Sequence, residues 1–380
     1  MLNLLEYGAC CCTCDKTAYT NKGAVHMIKV ILLLIAFGTG FLFDLMGIPA
    51  GWLLGAMIVG VFYRLMINDI TYPNLLFDLS LAVIGVSIGI SIKISMFKEV
   101  ASYLLPLAVS MIILLVASWI LGKILGRYSN LDAKTALFCC LPAGASVMMA
   151  LSREYKADLG IVAAFQTVRI MMLVATIPIV AGLMTSFLST KEVESSGLGK
   201  VAQDTLPLPL AILCYLLLIG ITLVIAKKWR IPIAPFLYSI LLAFLFHAFV
   251  QPLPSMPNLG VGIGMAMLGV MIGVRFDRRS LSDIKNIGWT SVGILLAFFF
   301  LTFVVTFVFY LMTPVDFITS LLAIVPAGAP QMASVAASLE LDGSVVAAMQ
   351  VIRLLVLILI IPALVPFLVS KEGNESENRI

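Results

Sequence analysis

The stretch LPAGASVMMALSREYKADLGIVAAFQTVR, residues 141–169, returns as VPAGAPQMASVAASLELDGSVVAAMQVIR, residues 325–353. Pro142, Gly144, Asp158, Gln166 and Arg169 of the first copy correspond to Pro326, Gly328, Asp342, Gln350 and Arg353 of the second, each 184 residues on. The same offset pairs Pro73-Asn74 with Pro257-Asn258, Gly85-Val86-Ser87-Ile88-Gly89 with Gly269-Val270-Met271-Ile272-Gly273, and Pro178 with Pro362. Ile48-Pro49 matches Ile231-Pro232 at 183, a one-residue slip in a loop. An offset held from residue 73 to 178 marks a duplicated chain. The organisation expected is an N-terminal extension (1–26), a first membrane repeat (27–190), a linker (191–206), a second membrane repeat (207–370) and a polar tail (371–380).

Around this core the 380 residues are 61% hydrophobic and 12% charged, with a mean hydropathy of +1.11. Soluble domains run at about 25% charged and about 45–50% apolar, so a water-soluble fold is excluded. Apolar stretches of about 20 residues recur throughout, and lipid admits only helices or closed barrels. Ten-residue alternating strands are absent, which leaves an all-α polytopic membrane protein. A net charge of +4 with no long basic block excludes a nucleic-acid partner. Cys10, Cys11, Cys12 and Cys14 crowd the N-terminal stretch, but no partner cluster follows for a metal. That stretch reads as a dispensable extension or as sequence upstream of a start at Met27, whose Met27-Ile28-Lys29-Val30 opens the first apolar run.

Each half carries six apolar runs. If all twelve crossed the membrane, Lys and Arg would divide 11 to 11 between the two sides, contrary to the positive-inside rule. If the two Pro-Ala-Gly segments instead enter and leave on one side, 18 basic residues fall inside, among them Lys123, Arg127, Lys227, Lys228 and Arg230. Four fall outside (Lys93, Lys98, Lys191, Lys200), and Arg169 and Arg353 lie within helices. The odd number of crossings makes the repeats inverted, with about five spanning helices plus one broken, re-entrant hairpin in each. Both termini are then cytoplasmic and the chain is multi-pass in the cell membrane.

Three constellations bear on chemistry. Proline removes a donor and glycine permits unusual backbone angles, so Pro142-Ala143-Gly144 and Pro326-Ala327-Gly328 interrupt helices and expose backbone groups to a site or a plain kink. Arg169 and Arg353 each stand 11 residues into a helix opened by Asp158 or Asp342, near the bilayer centre, where a buried arginine marks a site or a partner. At helical spacing Asp, Gln and Arg share one face, so two such sets are expected to meet near the midplane and suit an anion. Alternatively, each Arg satisfies carbonyls freed by the broken hairpin, and Asp158 and Asp342 serve as helix N-caps. The pairs Gly85/Gly89 and Gly269/Gly273 suit close helix packing. Asp44 and Asp78 are further carboxylates that could couple a proton. His26 and His247 are the only histidines, so no histidine-built metal centre or other cofactor is expected.

The repeated PN, GxxIG, PAGA and QxxR pattern, with Ile48-Pro49-Ala50-Gly51-Trp52-Leu53-Leu54-Gly55 ahead of it, resembles the duplicated AbrB-type integral membrane family over residues 27 to about 370. That family has carried the labels of ammonia monooxygenase and of a regulator of gene expression. The first label lacks metal-ligand residues here, so no enzyme is expected. The second lacks a DNA-binding module, so any regulation would be indirect. The inverted plan looks like that of cation/proton antiporters and bile-acid symporters, an analogy of architecture. A transporter of a small anionic solute, with a coupling cation or proton, is the first expectation and a membrane sensor the second. A homodimer is a candidate assembly.

Overall fold

The computed structural model describes residues 14–66, 70, 72–94, 96–129, 131–142, 145–188, 207–229, 234–276 and 288–377. Every regular element among them is a helix. The first half runs α1 (Cys14–Leu45), α2 (Gly51–Met66), α3 (Asn74–Ser91), the short α4 (Met96–Ser102), α5 (Leu104–Tyr128), α6 (Ala133–Cys140), α7 (Ala145–Glu154) and α8 (Leu159–Leu188). The second half repeats the order as α9 (Leu208–Lys228), α10 (Ala234–Phe249), α11 (Asn258–Gly273), α12 (Trp289–Met312), α13 (Phe317–Ile324), α14 (Ala329–Ser338) and α15 (Gly343–Glu377). From α3 and α11 onward the helices start 184 or 185 residues apart, so the sequence duplication is also a duplication of elements.

Among the described residues, seven helices are long and apolar enough to cross a membrane: Met27–Leu45 of α1, α3, α5, Leu159–Thr185 of α8, α9, α12 and Gly343–Ile361 of α15. Their outer faces carry bare apolar side chains such as Leu105, Phe300 and Leu359, which only a lipid solvent tolerates in such number. The protein is a polytopic all-α membrane protein. Helix α1 begins at Cys14, upstream of the Met27 boundary read from hydropathy, because the polar stretch before Met27 contains no proline to stop a helix.

Three 16-residue helices, α2, α10 and α11, are shorter but apolar, and with α3 they form the centre of the molecule. The GxxxG glycines are what bring them together. A Cβ on Gly269 would lie 2.3 Å from the Leu53 carbonyl oxygen, and one on Gly273 would lie 2.4 Å from that of Met57. Gly85 and Gly89 of α3 stand likewise against Phe236 and Ile240 of α10, at 2.8 and 2.5 Å. Backbones this close gain dispersion contacts and weak Cα–H···O bonds that larger side chains would block.

These contacts also fix direction. Residue numbers rise together along α2 and α11, and together along α3 and α10, so each of these pairs is parallel. Helix α2 therefore runs with the third helix of the second half rather than with α10, its own counterpart. Other contacts are exchanged in the same way: α1 packs on α11 as α9 packs on α3, while α3 and α11 cross each other. This is the packing that inverted halves require when consecutive helices alternate in direction.

Candidate functional site

Helices α6 and α13 have eight residues each, and α7 and α14 have ten, about 12 and 15 Å of helix. Neither length alone spans a hydrocarbon core of about 30 Å. Helices α6 and α13 stop because a proline follows two residues later: the carbonyl ends are Cys140-Leu141 before Pro142 and Ile324-Val325 before Pro326, with Leu141 and Val325 extended as pre-proline residues prefer. The last carbonyls of a helix have no partner within it.

Helix α8 supplies partners for the first break. Gln166 Nε2 donates to the Phe138 and Leu141 carbonyls at 2.9 and 3.0 Å. Arg169 Nη1 donates to those of Cys140 and Leu141 at 3.2 and 3.4 Å, and its Nη2 donates to Gln166 Oε1 at 2.6 Å. Helix α15 repeats the arrangement atom for atom. Gln350 Nε2 donates to Leu322 and Val325 at 2.6 and 2.9 Å, Arg353 Nη1 to Ile324 and Val325 at 2.5 and 2.9 Å, and Arg353 Nη2 to Gln350 Oε1 at 2.5 Å. All four side chains are 6% exposed or less. The negative end of a half-helix is where a cation is best placed, so each guanidinium offsets part of its burial by sitting there.

The same bonds set the course of the chain. Asp158 at the start of α8 donates its N–H to Thr135 Oγ1 in the first turn of α6 at 2.9 Å, whereas Gln166 and Arg169 meet the far end of α6. Helix α6 thus rises beside α8, and α7 must descend again to reach Asp158. Tyr155, just after α7, accordingly lies edge-on to Phe138 of α6, with centroids 6.0 Å apart. In the second half α14 returns to the start of α15, where Gly343 packs on Ala333 and Ala337. Both broken segments are hairpins that enter and leave at one level.

The shared Asp, Gln and Arg face divides in depth. Asp158 Oδ1 accepts from the N–H groups of Gly160 and Ile161 at 2.9 and 3.1 Å, and Asp342 Oδ1 from those of Ser344 and Val345 at 3.1 and 3.2 Å. Both aspartates are exposed N-caps at the open ends of the hairpins, so the expectation that they meet the arginines at the midplane is corrected. The reason is axial rise: eight residues from Asp to Gln is about 12 Å, which a helical wheel hides. Pro142 and Pro326 are buried at the breaks. Ala143 and Gly144 lie outside the described residues. Gly328 opens α14 with φ +106. Asp44 is exposed and Asp78 half-buried.

The two hairpins pack against helices of the opposite half. Helices α13 and α14 pack on α8, and α6 packs on α15. The Arg169 guanidinium carbon lies 4.7 Å from the ring centroid of Phe298 in α12. Arg169 Nε is buried and finds no acceptor among the described residues. At each tip an arginine sits at the carbonyl end; at the second tip no side chain among the described residues caps the N–H end of the following half-helix.

A family model described as transition state regulatory protein AbrB matches residues 14–93 and 52–369. The chain belongs to this family. It is 27% identical over 349 residues to a protein named "Putative regulator AbrB" from Escherichia coli (strain K12), covering 90% of this chain and 95% of that one. It is 24% identical over 368 residues to "Uncharacterized protein YhjN" from Bacillus subtilis (strain 168), covering 91% and 94%.

In this AbrB-family chain one polar residue at a tip escapes the repeat. Gln331 is 8% exposed, and its Oε1 is buried with no hydrogen-bond partner among the described residues. Its counterpart at the 184 offset is Val147. The only trace in the sequence is that mismatch, a glutamine where the other copy has an apolar residue.

Proposed function

We propose that this protein is a secondary-transporter-like membrane protein that moves a small anionic solute by alternating access between its inverted halves. One observation supports the reading: at each break an arginine and a glutamine of the neighbouring helix bond the carbonyl end of one half-helix, and at the second break no side chain among the described residues caps the N–H end of the next. Broken helices that present their N-termini between inverted repeats are how anionic solutes are held in transporters of this architecture. Arg169, Arg353, Gln166 and Gln350 act on the solute by fixing that geometry. Pro142, Pro326 and Gly328 stand at the breaks, and Gly144 is the counterpart of Gly328 in the repeat. In this reading the protein is not an enzyme, it sits in the cell membrane with both termini cytoplasmic, and a cation or proton supplies the driving gradient. A reporter fused at residue 197 should read extracellular and one at 229 cytoplasmic; the reverse pair would remove the proposed orientation.

Uptake of labelled small carboxylates into proteoliposomes, under an imposed proton or sodium gradient, tests transport itself. Gradient-driven flux lost in Arg169→Ala and Arg353→Ala, in preparations that remain folded, supports the proposal. A ligand that stabilises the purified protein but never crosses would sink it. That outcome would favour a second reading, which the name of the Escherichia coli relative brings to this chain: a membrane sensor whose ligand-bound state is read by a partner at the basic loops around Lys227-Lys228.

A further inference from the structure

The start of α14 differs from an ordinary helix end. It is buried at Ala329 and Pro330, and no side chain caps its first N–H groups. Gln331 stands two residues inside, and its Oε1 lies against Gly328, at 2.2 Å from where a Cβ would be on that glycine. From the third helical position a glutamine can reach back to cap the N–H of the residue that opens the helix, but Gln331 makes no such bond. Buried polar atoms in folded proteins nearly always have partners. The first hairpin is built at this position with Val147, so hairpin formation does not need the amide.

We propose that the start of α14 and Gln331 together read the solute. The N–H groups of Ala329 and Gln331, Pro330 between them having none, hold an anionic oxygen, and Gln331 Oε1 accepts a hydrogen bond from a donor on the neighbouring carbon. The ligand class is small 2-hydroxy- or 2-amino-carboxylates rather than plain carboxylates. This rests on the anion-transport reading and narrows it, since a site built to pair a substrate hydroxyl or ammonium discriminates strongly against the analogue that lacks it.

Three three-carbon probes that differ only at carbon 2 test the assignment: lactate, alanine and propionate. Thermal unfolding of the full-length protein in detergent should shift upward by a few degrees with lactate or alanine and stay unchanged with propionate. Gln331→Val should keep the ligand-free midpoint and lose the shift. Gln331→Glu, which retains capping ability but sets a negative charge against the carboxylate, should lose it too. Equal stabilisation by propionate, or no stabilisation by any of the three, overturns the ligand class. A ligand-free midpoint that falls in Gln331→Val and not in Gln331→Glu overturns the assignment in favour of a capping residue. Probe binding without flux would remove the transport reading and leave this site standing. Flux of lactate or alanine undiminished in Gln331→Val would do the opposite.

Discussion

The two broken hairpins share a frame and differ in what is mounted on it. In both, a glutamine and an arginine three residues later hold carbonyls 25 to 29 residues upstream, in the same order and through the same atoms. Around that frame the copies diverge. The first hairpin opens among Lys134, Arg153 and Lys156, while the second opens beside Asp316, Glu340 and Asp342, with no Lys or Arg between Lys285 and Arg353. Arg169 rests on the Phe298 ring, whose counterpart at the 184 offset is Leu114. Gln331 has Val147 as its counterpart. The shared part satisfies the backbone. The divergent part is where the proposed selectivity at Gln331 would reside.

The largest effect should come from breaking the shared frame. Arg169→Ala and Arg353→Ala each strip the arginine's bond from one buried carbonyl, Cys140 or Ile324, at about 1–3 kcal/mol, and leave the Leu141 or Val325 carbonyl to the glutamine alone, although interhelical bonds in membranes average about 0.6 kcal/mol. A loss of about 2 kcal/mol is expected for either, read from unfolding in detergent. Arg→Lys should recover little, because a lysine cannot bond two carbonyls and a glutamine in one plane. If one arginine proved dispensable, the two hairpins would not be equivalent scaffolds.

Next is the second tip. Gly328 holds φ +106, a conformation that costs a residue with a side chain about 1–3 kcal/mol, and a Cβ there would collide with Gln331 Oε1. Gly328→Ala should destabilise by about that amount. Adding Gln331→Val should restore only the part due to collision, separating backbone strain from contact. Phe298→Leu, which gives Arg169 the surroundings found in the other half, should cost about 1–2 kcal/mol, the scale of a desolvated cation–π contact. No change in unfolding would mean that the ring packs beside the arginine without holding it.

Much of this plan was legible in the residues. The fixed offset and the prolines identified the membrane class and the hairpins, because each reflects a requirement that acts along the chain, the pairing of backbone groups in lipid. Gln166 and Arg169 were legible as a pair, since both must face whatever the helix break exposes. Depth was not legible. Asp158 shares a helical face with them, yet lies about 12 Å away along the axis and meets water. Gln331 was invisible for another reason. Its significance is an unpaired oxygen, and pairing depends on neighbours that neither spacing nor repetition encodes.

The aspartates give the smallest and most discriminating test. Their capping bonds match closely between halves, so Asp158→Ala and Asp342→Ala should each cost about 1 kcal/mol of stability, a typical loss for an N-cap. Asn retains the accepting oxygen and the cap but cannot hold a charge or a proton. If capping is the whole of their role, Asp158→Asn and Asp342→Asn should leave both stability and solute flux close to those of the unsubstituted protein. If instead one carboxylate carries the coupling proton or cation, Asn at that position should keep the fold and abolish flux driven by the gradient, while exchange without a gradient persists. In the proposed inverted arrangement the hairpins open on opposite membrane faces, so such a loss confined to one aspartate would name the face on which the coupling ion is taken up. A loss at both would show that the ion is handed between the halves and that the caps are part of its path.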